Sequence, residues 1–100
     1  MTSSTTTPTI QVRVTAVLQK LTGGQKSIQA TGGTVAEVID DIDARYPGFR
    51  KQMYSEDGKL HRFVNIYLND EDIRYTGGPN TGLKAGDVLD VLPALAGGQV

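Results

Sequence analysis

The sequence predicts an α+β fold in which a mixed sheet of four to five strands carries one main helix on one face. Three observations lead there. Several short segments alternate apolar and polar residues with the period of a half-buried strand. One stretch, 34–46, repeats apolar residues at helical spacing behind a capping motif. The segments run strand, strand, helix, strand, short strand, strand, the order of a sheet with its helix packed on one side. With 100 residues the chain has room for one core and no second domain.

The first element starts at Ile10, where Ile10, Val12, Val14 and Ala16 alternate with Gln11, Arg13 and Thr15. Gly23-Gly24 marks a turn, and residues 25–30 resume alternation around Ile28, so the pair reads as a hairpin. Thr34-Val35-Ala36-Glu37 is a capping box, since the Thr34 hydroxyl and the Glu37 carboxylate can each satisfy a backbone amide at a helix start. Val35, Val38, Ile39, Ile42 and Tyr46 then form one apolar stripe. Pro47-Gly48 closes the helix, because proline disfavours helical geometry in the residue before it. Residues 49–59 read as an irregular charged connection. The strongest strand pattern is 63–68, with Val64, Ile66 and Leu68 on one face and Phe63, Asn65 and Tyr67 on the other. Asn69 to Asp72 is a polar turn, 73–75 is expected to add a short strand, and 76–82 is a glycine-rich loop. Residues 87–92 form the last strand. A hairpin, a helix and then further strands is the β-grasp (ubiquitin-like) order. It gives a lead-in at 1–9 expected to be disordered, a domain at 10–93, and a flexible tail at 94–100.

Composition narrows the function. A formal charge of −1 with both signs interspersed lacks the basic footprint of a nucleic-acid or anionic-membrane binder. The absence of cysteine rules out disulfides, thiolate metal sites and cysteine nucleophiles in this chain. Residues 1–9 are Ser/Thr-rich and lack the basic start and apolar run of a secretory signal, and no apolar stretch approaches bilayer length. A soluble cytoplasmic protein with protein partners is expected.

The chemistry concentrates in the tail. Leu92-Pro93 is followed by Ala94, Leu95, Ala96, Gly97 and Gly98, small and uncharged where frayed ends are usually polar. Ala94, Leu95 and Ala96 suit a narrow channel in a partner, and glycine allows close backbone approach. From Pro93 to Gly98 an extended chain spans roughly 20 Å, enough to deliver a terminal carboxyl into another protein's site. Adenylation of that carboxyl would supply a leaving group, and attack by sulfide would leave a thiocarboxylate, placing sulfur on a chain without a thiol. Gln99-Val100 follow Gly98, however, and an amide carbonyl cannot be adenylated as a carboxylate can. Cleavage of the Gly98-Gln99 bond is therefore the expected activating step. Gly-Gly also occurs at 23–24, 32–33 and 77–78, where turns explain it.

The segment from Gly58 to Arg74, most specifically its run His61-Arg62-Phe63-Val64-Asn65-Ile66-Tyr67-Leu68-Asn69-Asp70-Glu71-Asp72, resembles the actinobacterial CysO group of sulfur carriers, with the ThiS and MoaD proteins as wider relatives. The likeness also takes in residues 22–27, the Gly77-Gly78 loop and the ending at Gly97-Gly98. The resemblance implies activation by an ATP-using, E1-like adenylyltransferase and a thiocarboxylate at Gly98, with ATP used by the partner and no cofactor bound to this chain. It further implies sulfur transfer to a biosynthetic enzyme, pyridoxal-phosphate-dependent in CysO-like systems, and trimming or product release by a JAMM-type metalloprotease. Cysteine synthesis and a specialised route such as a thiosugar both remain open.

No catalytic constellation or metal site emerges. Gly23-Gly24-Gln25-Lys26-Ser27 lacks the ending and setting of a phosphate loop. The single histidine, His61, cannot build a two-histidine site and reads as a strand cap or a partner contact. Asp70, Glu71 and Asp72 read as a solvated turn. With one helix covering one face, Phe63, Tyr67, Val88 and Leu92 are the expected apolar docking patch on the other. Two alternatives stand beside the carrier: a ubiquitin-like modifier that passes the same activated Gly98 to a lysine, and a binding module whose tail never reacts.

Overall fold

The computed structural model describes residues 7–93, so residues 1–6 of the expected lead-in at 1–9 and the tail from Ala94 onward lie outside the described residues, while Thr9 of that lead-in already belongs to the first strand. Five strands form one mixed sheet: β1 (Thr9–Val14), β2 (Ser27–Thr31), β3 (Val64–Leu68), β4 (Glu71–Asp72) and β5 (Val88–Pro93), in the spatial order β2-β1-β5-β3-β4. The central pair, β1 and β5, is parallel, and every other pair is antiparallel. Helix α1 (Val35–Arg45) and a short α2 (Phe49–Met53) supply the second layer. The β-grasp expectation holds in strand count, mixed pairing and element order.

Alternation sorts each strand into two faces. Ile10, Val12 and Val14 of β1, Ile28 and Ala30 of β2, Val64 and Ile66 of β3, and Leu89 and Val91 of β5 are buried against the helices. Val35, Val38, Ile39 and Ile42, the expected stripe of α1, meet them, and Tyr46 packs partly buried beside them. The helix starts where the capping box indicated. Thr34 Oγ1 accepts from the Glu37 N–H at 3.2 Å, while the Glu37 carboxylate reaches one residue further back, to the Gly33 N–H at 2.7 Å. Gly32, between β2 and α1, owes its identity to crowding: a Cβ there would lie 2.7 Å from the Val38 nitrogen.

Three expectations need correction. The first strand ends at Val14, and residues Ala16–Thr22 form a 3-10 helix. The Gln19 side chain donates to the Val14 carbonyl at 2.9 Å, and the buried Thr22 hydroxyl lies between the Gln19 and Gln25 carbonyls, closing the segment into a compact turn. Residues 49–59 are not wholly irregular: α2 buries Phe49 and Met53, one helical turn apart, in the core. The short strand after β3 is Glu71–Asp72, while Ile73–Tyr75 is a 3-10 turn capped by Asp72. Asn69 and Asp70 carry φ of 49° and 76° between the paired Leu68 and Glu71, a two-residue hairpin loop with both residues left-handed, which Asn and Asp tolerate better than most.

Both open edges of the sheet are stopped by side chains. At β2, the Asp41 carboxylate accepts from the Thr31 N–H at 3.1 Å and Arg45 donates to the Gln29 carbonyl at 2.7 Å, the two being paired with each other one helical turn apart. At the other side β4 covers only Tyr67 and Leu68 of β3. Arg74 covers the strand's beginning.

Candidate functional site

Sequence reasoning expects the reactive group at Gly98, with Gly97 beside it, Gln99 beyond it and Ala94, Leu95 and Ala96 leading to it; all six lie outside the described residues. Within them, the structure defines where that tail is rooted. β5 ends at Pro93, and β5 is the middle strand of five, held by β1 on one side and β3 on the other. Its antiparallel register with β3 sets Leu92 opposite Asn65 and Pro93 opposite Val64. The Val64 N–H is spent on the His61 carbonyl at 3.0 Å and its own carbonyl accepts from Arg74 at 2.8 Å, so both groups point away from β5. By the alternation of an antiparallel ladder, the Asn65–Leu92 pair is then the last among the described residues placed to exchange backbone bonds. A proline next in line loses nothing toward β3, because no donor is needed there.

The sheet face turned away from the helices carries Asn65 and Tyr67 of β3, Val88, Asp90 and Leu92 of β5, and Gln11 and Arg13 of β1. Tyr67, Val88 and Leu92, three of the four residues expected to form a docking patch, share this half-buried face. Phe63 stands one residue before β3 and is 57% exposed, its ring 5.1 Å from that of His61 and beneath the Arg62 guanidinium. The patch is not purely apolar. Tyr67 and Leu92 line a shallow groove of about 300 Å³ together with Asp70 and Asp90. Arg13 forks onto Asp90, with Nη2 to Oδ2 at 2.8 Å, and that hydrogen bond and the carboxylate charge raise the guanidinium's pKa above its ordinary value.

His61 behaves as a strand cap: its Nδ1 accepts from the Phe63 N–H at 3.1 Å. A wider hollow of about 860 Å³ lies between α2 and the connection to β3, lined by Arg50, Lys51, Tyr54, Asp57 and His61 among others. Arg50 is paired there with Asp40 at 2.9 Å and lies over the Tyr54 ring. Among the described residues no three metal-ligating side chains come together. Arg74 is the site residue that sequence reasoning missed. Its Nη1 donates to Asn65 Oδ1 at 2.6 Å, and its Nη2 to the carbonyls of Val64 at 2.8 Å and His61 at 3.0 Å. No local spacing signals such bonds, since the acceptors lie nine to thirteen residues away.

Three similarities bear on this arrangement. The chain is 48% identical over 91 residues to the sulfur carrier protein CysO of Mycobacterium tuberculosis, covering 89% of this chain and 98% of that protein. It is 32% identical over 92 residues to small archaeal modifier protein 3 of Haloferax volcanii, again across 89% and 98%. In a crystal structure of the Amycolatopsis orientalis BexX/CysO complex, a chain 47% identical superposes with a TM-score of 0.82 over 89% of this chain and 99% of that one. The sequence matches the ThiS family over residues 12–98, a span that holds the whole sheet from Val12, both helices and the Gly97-Gly98 ending. The chain belongs to the ThiS family.

Proposed function

We propose that this chain is a sulfur carrier, a protein cosubstrate rather than an enzyme, whose working group is the carboxyl of Gly98. The observation that carries the reading is the family match running through Gly97-Gly98, joined to 48% identity with a sulfur carrier over nearly all of both chains. A peptidase of the JAMM type hydrolyses the Gly98-Gln99 bond and frees the carboxylate. An E1-like enzyme then joins that carboxylate to the α-phosphate of ATP and releases pyrophosphate. Sulfide displaces AMP from the acyl-adenylate, and the thiocarboxylate so formed gives its sulfur to a biosynthetic acceptor enzyme. Cysteine and specialised sulfur metabolites are both compatible products, and a pyridoxal-phosphate enzyme is a compatible acceptor.

The roles of the remaining residues follow from this order. Tyr67, Val88 and Leu92 on the open sheet face, with Phe63 at its margin, dock the partner, while Ala94, Leu95 and Ala96 thread its channel. The complex of a related CysO with BexX supports engagement of a protein partner by such a carrier. No helix of the described residues is long and apolar enough to cross a membrane. The cytoplasm, where ATP is at hand, is the proposed compartment.

The test compares two forms of the chain, one ending at Gly98 and one retaining Gln99-Val100, each incubated with the adenylating enzyme of the source cell, ATP and sulfide. The shorter form should acquire a thiocarboxylate and the longer should not. A shorter form that is never loaded contradicts the carrier reading. The 32% identical modifier protein favours one second reading, transfer of the activated Gly98 to a lysine. In that case stable isopeptide adducts on other proteins would accumulate in the cell.

A further inference from the structure

The β3–β4 hairpin folds Arg74 back along β3, and the 3-10 turn that bears it is anchored by Ile73, which is fully buried. Asp72 caps this turn, its carboxylate accepting the Arg74 N–H at 2.9 Å. The guanidinium then donates three bonds to a single five-residue segment: to the His61 carbonyl, the Val64 carbonyl and the Asn65 side chain. All three acceptors are uncharged. An exposed guanidinium needs no such partners to be solvated, and its rigid fork is suited to holding several acceptors in one geometry. Asn65 is the residue opposite Leu92, in the last pair among the described residues placed to exchange backbone bonds.

We infer that Arg74 is a positioning residue for the tail: by bracing His61, Val64 and Asn65 it keeps the Asn65–Leu92 rung closed and fixes the point from which residues 93–98 set out. The functional half of this inference rests on the carrier reading. Without the brace, β3 is uncovered at its start, because β4 reaches only Tyr67 and Leu68. Opening the Leu92 rung would free about two more residues, adding roughly 7 Å of slack to a reach of roughly 20 Å. Delivery of a carboxylate to an adenylation site depends on holding the reacting atoms within near-attack distance. Slack at the root therefore costs turnover, while the docking contacts of Tyr67 and Val88 lie on rungs away from the opening and limit any loss of docking to Leu92 and Phe63 at the margin.

The experiment uses the chain ending at Gly98 as wild type, Arg74→Ala and Arg74→Lys. Amide hydrogen exchange should quicken about tenfold or more at Leu92 and Asn65 in the alanine variant and stay unchanged at Val12 and Leu89, as for a local opening. With the adenylating enzyme of the source cell, pyrophosphate exchange should show kcat lowered about 3- to 10-fold and KM for the chain within about twofold of wild type. Lysine, which keeps one donor group but not the fork, should fall between the two. A raised KM at unchanged kcat would overturn the inference in favour of a docking contact. Exchange quickened alike at all four amides would reduce Arg74 to general stability, and unchanged exchange would remove the brace altogether. A wild-type chain that supports no pyrophosphate exchange overturns the carrier reading and the functional half with it, and the amide rates then decide the brace alone.

Discussion

Asp87 shows how a buried carboxylate ties the turn before β5 to the hairpin beside it. Only 5% exposed, it accepts from the Lys84 N–H at 2.8 Å and from the Asn69 side chain at 3.1 Å, while Asn69 in turn accepts from the Val88 N–H at 3.0 Å. Burial alone raises its pKa, but the Lys84 and Asn69 hydrogen bonds with the nearby Lys84 charge outweigh that and leave it below the ordinary value. A carboxyl depressed on folding stabilises the native state above its unfolded pKa, about 3.9, and that contribution disappears as pH falls through the lower folded value. Asp87→Asn should therefore be less stable at neutral pH and should lose less stability on acidification below pH ~4. Chemical denaturation across that range measures it, and parallel curves for the two proteins would contradict the assignment. The sequence shows Asp87 beside a glycine turn but not its partner Asn69, eighteen residues away.

At the scale of elements, legibility followed length. The five-residue strands and the eleven-residue α1 present enough periods for alternation or a helical stripe to stand out, and the capping box marked the first turn of α1 within one residue. The five-residue α2 offers only Phe49 and Met53, too few for a period, and is stabilised by the core rather than by its own propensity. The 3-10 helix Ala16–Thr22 was masked because apolar Ala16 and Leu18 continue the alternation of β1 past its true end. Phe49→Ala should cost about 3–5 kcal/mol in urea unfolding, as for a large core side chain. A loss under about 0.5 kcal/mol would return the segment to a surface connection. Edge closure makes a different prediction. The double variant Asp41→Ala, Arg45→Ala removes an exposed ion pair of small value but uncovers the Thr31 N–H and the Gln29 carbonyl. It should fold with stability within about 1 kcal/mol of wild type and self-associate with rising concentration in sedimentation velocity, where wild type does not. A variant that sediments as wild type at every concentration would show that Asp41 and Arg45 do not guard this edge.

The molecule as a whole places its terminal strand at the centre of the sheet, between a parallel and an antiparallel neighbour, so the proposed working end leaves from a strand paired on both sides. One sequence signal reached this arrangement directly: the β-grasp order. The alternation of β3 and β5 also brought Tyr67, Val88 and Leu92 to one face. The acidic residues Asp70 and Asp90 in the same groove, and the Arg74 brace on the start of β3, arise from register and hairpin return, which no single segment encodes. The central claim is that Gly98 carries sulfur after Gln99-Val100 are removed. Intact mass spectrometry of the protein isolated from its own cells under sulfur demand tests it most directly. The account predicts a chain ending at Gly98 with a subpopulation heavier by the exchange of one carboxyl oxygen for sulfur. A population that keeps Gln99-Val100 and never gains that increment would contradict it.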